Sequence, residues 1–574
     1  MAGLYTGLLL QRHGHRVRIF EGTDRVGGRV YTHYFTQEPD QYFEAGAMRL
    51  PHSKFHQYTF DLIKFLGLFD LDGRDVKLMP YILTAPGNRL YVNGVRGDGY
   101  HVASTTPASI NWDVPEYYKD KTAAYLLNEA IGEFIQWLKD DFDKGFEKLV
   151  KGLDNFSFRN YLADACHWPT SVIDFVETVT SQTNQFALCV PEIVMHELDF
   201  STEEWSTIEG GMSRLPLAMS YLLGYQNITY GARVTGVKEL KNGKVAIIAN
   251  GYNGCIAPEF DKVILAIPPA ALKMIVDRPR WCTPKELAIR SMHFEALFKM
   301  GLQFKTRFWE RVVAHPGPTK GGQSITDLPI RCVIYPSNGI GSDGPGVLLI
   351  YAWLTDATTW LPLTPAERTS LALFCLADMY DDKMDPVSNK PIKVHDLLIG
   401  TTGAVWSTQS ATGDAMYHPG QFAAHFEPAR QPEGNIFFAG EHLSRHHAWI
   451  TGALESAHHA VCQMIGNVPP LAPWGPYVGA EPNKPPGPLI DPKRPPTSDE
   501  LECGAPIHLG SWGNEATPKV KYRFTPNEPL FRFGDGWAEG ESTSVEKFPL
   551  HLGGDARHPI GVELTSLSGP GAYE

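Results

Sequence analysis

The sequence predicts a multidomain α/β protein that combines a Rossmann-like domain, a domain with a mixed β-sheet and a helical insertion. Three observations predict this fold class. The chain has 574 residues, which exceeds the length at which one hydrophobic core keeps growing. Its first 21 residues read as helix, turn and strand. Strand patterns then continue to about residue 440 and are interrupted by a long helical stretch.

The N-terminal elements form two thirds of a βαβ unit. An apolar helix pattern covers residues 1–12, a turn follows at His13-Gly14-His15, and the next apolar run ends at Glu21. No strand pattern precedes the helix, although such a unit begins with one. We therefore expect the parallel sheet to lack its first strand and the N-terminus of this sequence to be incomplete.

The later elements follow from periodicity and from turn residues. Residues 110–200 are helical in pattern, with apolar residues at three- and four-residue spacing over 122–142. From Pro469 to Pro496, 11 of the 28 residues are proline, which excludes a packed helix or sheet there. Strand patterns cover 228–240, 244–249, 262–269, 346–354 and 435–440.

The composition is that of a soluble globular protein, with 43% hydrophobic and 20% charged residues. A net charge of −13 without clustered Lys and Arg argues against a nucleic-acid partner. No apolar run reaches about 18 residues, so we expect no membrane span; cytoplasm and secretion both stay open. The eight cysteines lack zinc-site spacing and leave room for one long-range disulfide.

The spacing between Gly3 and Glu21 matches that of a dinucleotide fingerprint. In such a fingerprint the last glycine is followed at this distance by the acid that binds a ribose hydroxyl. A helix and strand followed by a chance Glu would give the same spacing. The string EGTDRVGGRVYT (21–32) favours the first interpretation. Its glycines, Gly27 and Gly28, let the backbone approach a pyrophosphate, and Arg29 places positive charge beside it.

This string resembles the flavin motif of the monoamine oxidase and L-amino acid oxidase superfamily, and the resemblance extends over about residues 1–467. In that family the fingerprint is G-x-G-x-x-G, and residues 1–3 match only its last three positions. The resemblance implies FAD, held non-covalently because the motif 436–457 has no cysteine. The implied FAD contacts are Gly3, Glu21, Gly27, Gly28, Arg29, Gly46, Ala47, Met48, Val234 (at the adenine), Glu441 (at the ribityl-pyrophosphate region), Trp449, Ile450 and Thr451.

The segment EAGAMRLP (44–51) resembles the loop of the amino acid oxidases in which an arginine binds the substrate carboxylate. That arginine is Arg49, whose planar guanidinium matches a carboxylate bidentately. An ordinary ion pair is the alternative. By the same resemblance, Tyr351 adds a second hydrogen bond to the carboxylate and Lys299 lies near flavin N5. The Ala448 carbonyl and Trp449 flank the substrate amine, and the family often has Gly in place of Ala448.

A metal is not expected, because the adjacent His446 and His447 point in different directions and no third ligand stands near them in sequence. The resemblance divides the chain into alternating FAD-binding, substrate and helical segments. The FAD-binding domain comprises 1–53, 206–298 and 431–467, the substrate domain comprises 54–109 and 299–430, the helical domain is 110–205, and a Pro/Gly-rich extension covers 468–574.

The activity implied by the resemblance is FAD-dependent oxidative deamination of L-amino acids. Hydride passes from the substrate Cα to flavin N5, oxygen is the acceptor, and the products are 2-oxo acid, ammonia and hydrogen peroxide. A homodimer is expected by analogy with the family. Three alternatives stay open: an amine or polyamine oxidase, a decarboxylating amino acid monooxygenase, and a truncated homologue without enzymatic activity.

Overall fold

The α/β architecture predicted from the sequence is present in a computed structural model of the chain. The structure describes residues 1–98, 104–182, 184–251, 254–312, 317–380, 383–406 and 412–473. The predicted extension 468–574 lies outside the described residues from position 474 onward.

One region of the fold centres on the helix Ala2–Arg12. Tyr5 and Leu9 are fully buried there, because this helix packs between the helices Arg214–Leu223 and Ile450–Ile465. An apolar surface on all sides is what a helix enclosed in this way requires.

Two parallel strand pairs flank this helix. Ile19–Phe20 runs beside Ile228–Thr229, and Val263–Leu265 runs beside Ile436–Phe438. Within the described residues of the chain the two pairs remain separate two-stranded sheets. An antiparallel sheet adjoins them and is formed by Arg233–Glu239, Val245–Gly251, Gly254–Ile256 and Glu259–Phe260.

A seven-stranded mixed sheet carries the residues closest to the predicted chemistry. All its neighbours are antiparallel except Gln323–Thr326 and Arg89–Val92, which run parallel. Every residue of the strand Leu297–Phe304 is buried, so both faces of this strand are covered. In order the strands are Leu398–Val405, Leu297–Phe304, Gly346–Trp353, Cys332–Ile334, Gln323–Thr326, Arg89–Val92 and Val95–Asp98.

The predicted helical stretch is a group of several helices. Thr122 caps its first helix by accepting from the N–H of Tyr125, and Asp141 ends that helix and caps the next through the N–H of Lys144. The helices are Ala123–Asp140, Phe142–Leu153, Phe158–Asn160, Thr170–Val179 and Val190–Asp199, with one π-helical turn at Tyr161–Ala165.

The remaining elements are short strands and helices. The short strands are Thr32–Tyr34, Tyr42–Glu44, Leu50–Pro51, Leu78–Pro80, Trp205–Ile208, Met384–Asp385 and Lys390–Pro391. The remaining α-helices are Gln57–Leu66, Pro269–Lys273, Thr283–Ser291, Leu354–Thr358, Pro365–Tyr380, Val394–Leu397 and Glu427–Arg430. Among the described residues, no helix combines the length and the apolar character needed to cross a bilayer. The seven cysteines before residue 474 are free thiols, so no two of them form the disulfide that the sequence left open.

Candidate functional site

The glycine pair predicted to face a pyrophosphate forms a tight turn. Gly27 has a φ of +103°, and a Cβ there would lie 2.6 Å from the carbonyl oxygen of Val30. Only glycine fits that position. Gly28 has a φ of +57°, and no atom lies within 4 Å of the position that a Cβ would take, so the space beside its Cα is open. Arg25 supports the turn by donating to the Gly28 carbonyl at 2.8 Å.

Arg29, next to this turn, joins it to the C-terminal motif. Its Nη1 donates to Glu441 at 2.7 Å and to the Gly413 carbonyl at 2.8 Å. Glu441 also accepts from the backbone N–H groups of Ala415 and Ala448. Burial alone would raise the pKa of Glu441, but Arg29 and neighbouring histidines hold it below its usual range. The carboxylate is therefore ionised and fully engaged.

The helix Ile450–Ile465 begins at the two residues, Ile450 and Thr451, that the resemblance assigns to the flavin. Its N-cap residue, Trp449, provides no side-chain cap, and the first turn contains no acidic residue. The first N–H groups of the helix are therefore available to an anionic ligand. The hydroxyl of Thr451 in this turn is buried and has no hydrogen-bond partner. Together with the open space beside Gly28, this end of the helix fits the FAD implied by the sequence.

The predicted ribose and adenine contacts lie at one edge of this region. The carbonyl of Glu21 accepts from the N–H of Ala232 at 2.8 Å. Val234 follows two residues after this contact. The Glu21 carboxylate accepts from the backbone and hydroxyl of Thr23. Gly3 lies elsewhere, in the first turn of its helix, where a Cβ would touch Ala266 at 3.6 Å.

The loop that contains Gly46, Ala47, Met48 and Arg49 is attached directly to the segment after the glycine pair. Gly46 and Ala47 donate to the carbonyls of Tyr31 and Arg29, both at 3.0 Å. A Cβ at Gly46 would lie 1.9 Å from the Arg29 carbonyl oxygen, so no side chain is tolerated there. This contact brings the predicted cofactor-binding and substrate-binding residues together.

Arg49 lies against aromatic rings and has an unused donor. Its guanidinium carbon is 4.7 Å from the ring centre of Phe200 and 5.8 Å from that of Trp205. Its Nη1 is buried without a hydrogen-bond partner. Trp449 lies on the same aromatic wall, with ring centres 5.5 Å from Phe200 and 6.1 Å from Trp205. Nothing in the sequence pointed to Phe200 or Trp205 beyond the local abundance of aromatic residues.

Lys299 and Tyr351 are register neighbours on adjacent strands. The Lys299 Nζ donates to the Gly46 carbonyl at 2.5 Å and lies 4.4 Å from the Tyr351 ring centre. Burial, followed by the charge of Arg49, lowers the pKa of Lys299 to about 7. This amine therefore changes its protonation state near neutral pH.

The loop before Trp449 is fixed by two buried histidine–carboxylate pairs. The Nδ1 of His446 lies 3.1 Å from Asp199, and that of His447 lies 2.8 Å from Glu192. Both acids belong to the helix Val190–Asp199 and are seven residues apart, so they share one helix face. Next in the loop, Ala448 has a φ of +68°, a conformation that glycine adopts more easily.

No third ligand stands near His446 in sequence, but two residues distant in sequence lie beside it in the fold. His56 and Asp199 join it, and one ligand atom from each residue lies within 4.8 Å of the others. Residues far apart in sequence produce this cluster, which local spacing could not indicate. The cluster is accounted for by hydrogen bonds, because the Nε2 of His56 also lies 3.0 Å from Asp199. Burial would raise the pKa of Asp199, but His446 and His56 keep it below its usual range. The absence of a metal stays a prediction.

Comparison with known proteins decides the family. Residues 1–465 match the family model of the flavin containing amine oxidoreductases. The chain belongs to this family. A Dictyostelium discoideum relative, whose name describes a bifunctional amine oxidase, is 33% identical over 494 residues. That match covers 81% of this chain and 45% of the relative, so the chain spans less than half of that protein.

One further relative and one solved structure extend the comparison. The L-amino-acid oxidase 4 of Hebeloma cylindrosporum is 28% identical, with 80% of each chain covered. Among solved structures, putrescine oxidase bound to putrescine superimposes with a TM-score of 0.61 at 18% identity, over 81% of this chain and 97% of that one. The resemblance and the α/β fold predicted from the sequence are confirmed, and so is FAD as the cofactor. The protein is a flavin-dependent oxidoreductase.

Proposed function

We propose that this flavoprotein oxidises L-amino acids and releases 2-oxo acid, ammonia and hydrogen peroxide. The observation that carries the proposal is the buried, unpartnered Nη1 of Arg49 on an aromatic wall. A buried guanidinium donor without a partner is costly unless a ligand supplies an acceptor. A carboxylate is the acceptor that matches it best. An amine substrate has no such group.

The other predicted site residues would orient the same substrate. When bound, FAD would supply the acceptor for the hydride of the substrate Cα and the route of its two electrons to oxygen. Arg49 and the Tyr351 hydroxyl would fix the carboxylate and thereby aim Cα–H at the acceptor. Trp449 and the Ala448 carbonyl would flank the amine. Lys299, whose Nζ is held by the Gly46 carbonyl, would supply a proton or a positive charge during reoxidation.

Mass balance defines the remaining proton steps. The α-ammonium must lose a proton before Cα–H leaves as hydride. The protonated nitrogen has no lone pair, and the new C=N bond needs one. The resulting imino acid takes up water and releases ammonia, which leaves the 2-oxo acid. We therefore expect the oxidation rate to rise toward alkaline pH as the substrate amine is deprotonated.

The decisive experiment compares each amino acid with its decarboxylated amine. L-Leucine is paired with 3-methylbutylamine, and L-lysine with 1,5-diaminopentane, in peroxide assays and in anaerobic bleaching of the flavin absorption band. The proposal requires the amino acids to be the better substrates by kcat/KM.

Other outcomes separate the alternatives. Preference for the amines identifies an amine oxidase, the activity named for the putrescine oxidase neighbour. An amide product with little peroxide identifies a decarboxylating monooxygenase. A chain without flavin absorption after addition of FAD, and without turnover of either series, identifies a non-enzymatic homologue.

A further inference from the structure

Two short segments run antiparallel beside the buried strand Leu297–Phe304. Phe294 forms a bridge with Ala415, and the N–H of Glu295 donates to the Asp414 carbonyl at 2.9 Å. This register places Glu295 directly opposite Asp414. Side chains that are directly opposite across antiparallel segments share one side, with Cβ atoms roughly 4.5–5.5 Å apart. Two carboxyl groups thus stand next to each other.

This arrangement is unfavourable when the site is empty. Like charges directly opposite each other repel, and burial increases the repulsion. Glu295 is only 3% exposed. Burial, followed by the charge of Asp414, raises the pKa of Glu295 well above its usual range. Burial, followed by Glu441, raises the pKa of Asp414 to about 7. A positive group placed between the two would relieve both.

Acceptor atoms in this cluster lack donors. The Oε2 of Glu295 and the Oε1 of Gln185 are both buried and have no hydrogen-bond partner. Gln185 is also only 3% exposed, and its side chain hydrogen-bonds Glu295. The cluster therefore holds two carboxyl groups and an amide oxygen, all of which can accept. A ligand with several donors and no acceptor satisfies such a set while the carboxyl groups are ionised, and an ammonium or a guanidinium is such a ligand.

The neighbouring cations of the protein are already engaged. Lys299 donates to the carbonyls of Gly46 and Glu44, at 2.5 and 3.4 Å. Arg29 is held by Glu441 and the Gly413 carbonyl. Both cations lower the pKa of Asp414, yet that pKa stays raised. A further positive group bound at the cluster would therefore stabilise its ionised carboxylates.

The cluster also lies within electrostatic range of the predicted reaction centre. Burial is the largest cause of the raised pKa of Tyr351, and the charges of Asp414 and Glu295 add to it, whereas Arg49 opposes it. Arg49 and Asp414 likewise act on Lys299, in opposite directions. A carboxylate-binding arginine and an acidic pair thus surround the same lysine and tyrosine.

We propose that Glu295, Asp414 and Gln185 bind the cationic side chain of the substrate, so that L-lysine and L-arginine are the preferred amino acids. This inference rests on the proposed function, because it assumes that Arg49 holds the α-carboxylate. The substrate then has a negative group at one end and a positive group at the other, and each end meets buried atoms of the complementary type.

The test measures kcat/KM of the FAD-loaded, full-length enzyme for L-lysine, L-arginine and L-norleucine. L-Norleucine keeps the lysine chain but lacks its terminal ammonium. We expect the wild type to prefer L-lysine or L-arginine by about 10- to 100-fold, the range typical of a hydrogen bond to a charged group. In Glu295→Gln this preference should fall toward unity, with norleucine oxidation retained. Asp414→Asn provides a second variant with the same expectation.

Glu133→Gln is the matched control, because Glu133 is exposed on the helix Ala123–Asp140 and the substitution is the same. It should leave the lysine-to-norleucine ratio at the wild-type value. Equal losses for lysine and norleucine in Glu295→Gln would show that the acid acts on the shared α-amine, and this would overturn the inference. So would a wild type that prefers norleucine. Oxidation of no amino acid, with flavin bound, would instead refute the proposed function itself. Because the ratio is internal to each variant, partial loss of folded protein does not alter it.

Discussion

The two ends of the candidate substrate site are opposite in chemistry and similar in construction. At one end, Arg49 has a buried donor without an acceptor. At the other, Glu295 and Gln185 have buried acceptors without a donor. On the cofactor side, Arg29 and Glu441 satisfy one another, whereas the buried hydroxyl of Thr451 has no partner. Buried groups that bind each other hold the fold together, and those left without partners indicate what the ligand must supply.

Breaking the carboxylate end should have the largest effect. Arg49→Ala removes the guanidinium that would face the substrate carboxylate, and loss of one partner of a buried charged pair costs about 2 to 5 kcal/mol. We expect kcat/KM for L-amino acids to fall by about 30-fold or more, measured by peroxide release. Arg49→Lys keeps the charge but loses the planar fork, so it should recover only a fraction of that loss. An unchanged kcat/KM in Arg49→Ala would exclude this residue from carboxylate binding.

The aromatic wall beside Arg49 can be destabilised by a substitution that leaves Arg49 itself unchanged. Asp199→Ala removes the carboxylate shared by His56 and His446, and we expect the free energy of unfolding to fall by about 3 kcal/mol, as for other broken buried pairs. Urea unfolding monitored by tryptophan fluorescence measures this loss. Asp143→Ala is the control, because Asp143 pairs with Arg445 in the same loop but has an exposed side chain. Its expected cost is below about 0.5 kcal/mol. Similar costs for the two variants would contradict the clamping role of Asp199.

A third experiment tests the residue between the two ends. The pKa of Lys299 is lowered to about 7 by burial and by Arg49. Its positive form therefore predominates below pH 7 and its neutral form above. If the positive form assists reoxidation by oxygen, the rate constant of that half-reaction should decrease as pH rises through about 7. In Lys299→Met this inflection should be absent, and stopped-flow mixing of the reduced enzyme with oxygen measures it. Persistence of the inflection in the variant would assign it to another group.

The smallest expected effect concerns Ala448. Its left-handed conformation costs an alanine about 1 kcal/mol, and glycine relieves that strain while adding flexibility to the unfolded chain. Ala448→Gly should therefore stabilise the protein by about 0.5 kcal/mol, seen as a small rise in Tm. Ala453→Gly, in the following helix, should destabilise it by about 1 kcal/mol. The opposite signs test the backbone argument, which fails if both substitutions destabilise alike.

Local strings in the sequence were sufficient to propose many of the candidate site residues. Gly27, Gly28 and Arg29 are contiguous, and Arg49 stands in one readable segment, so their likeness to a known motif could be recognised. Ile450 and Thr451 were assigned to the flavin in the same way, and the structure begins a helix there. These features depend on neighbours along the chain.

The rest depends on contacts between distant residues. Glu295 meets Asp414 across more than a hundred positions, and His446 meets Asp199 across more than two hundred. No periodicity encodes such pairings. The one available signal was that Glu295 interrupts an otherwise apolar segment leading into the strand of Lys299. An acid in that position is unfavourable in a core unless another group of the protein or a bound ligand pairs with it.

The spacing of Glu192 and Asp199 has a consequence for insertions and deletions. The two acids reach adjacent histidines only because two helical turns bring them back to the same azimuth. One residue added between them would rotate one acid by about 100° relative to the other, so both pairs could not form together. Variants of different length should therefore survive in the segment after Phe200 far more readily than within the helix. In a library of random indels, this ten-residue helix would stand out as a stretch of fixed length.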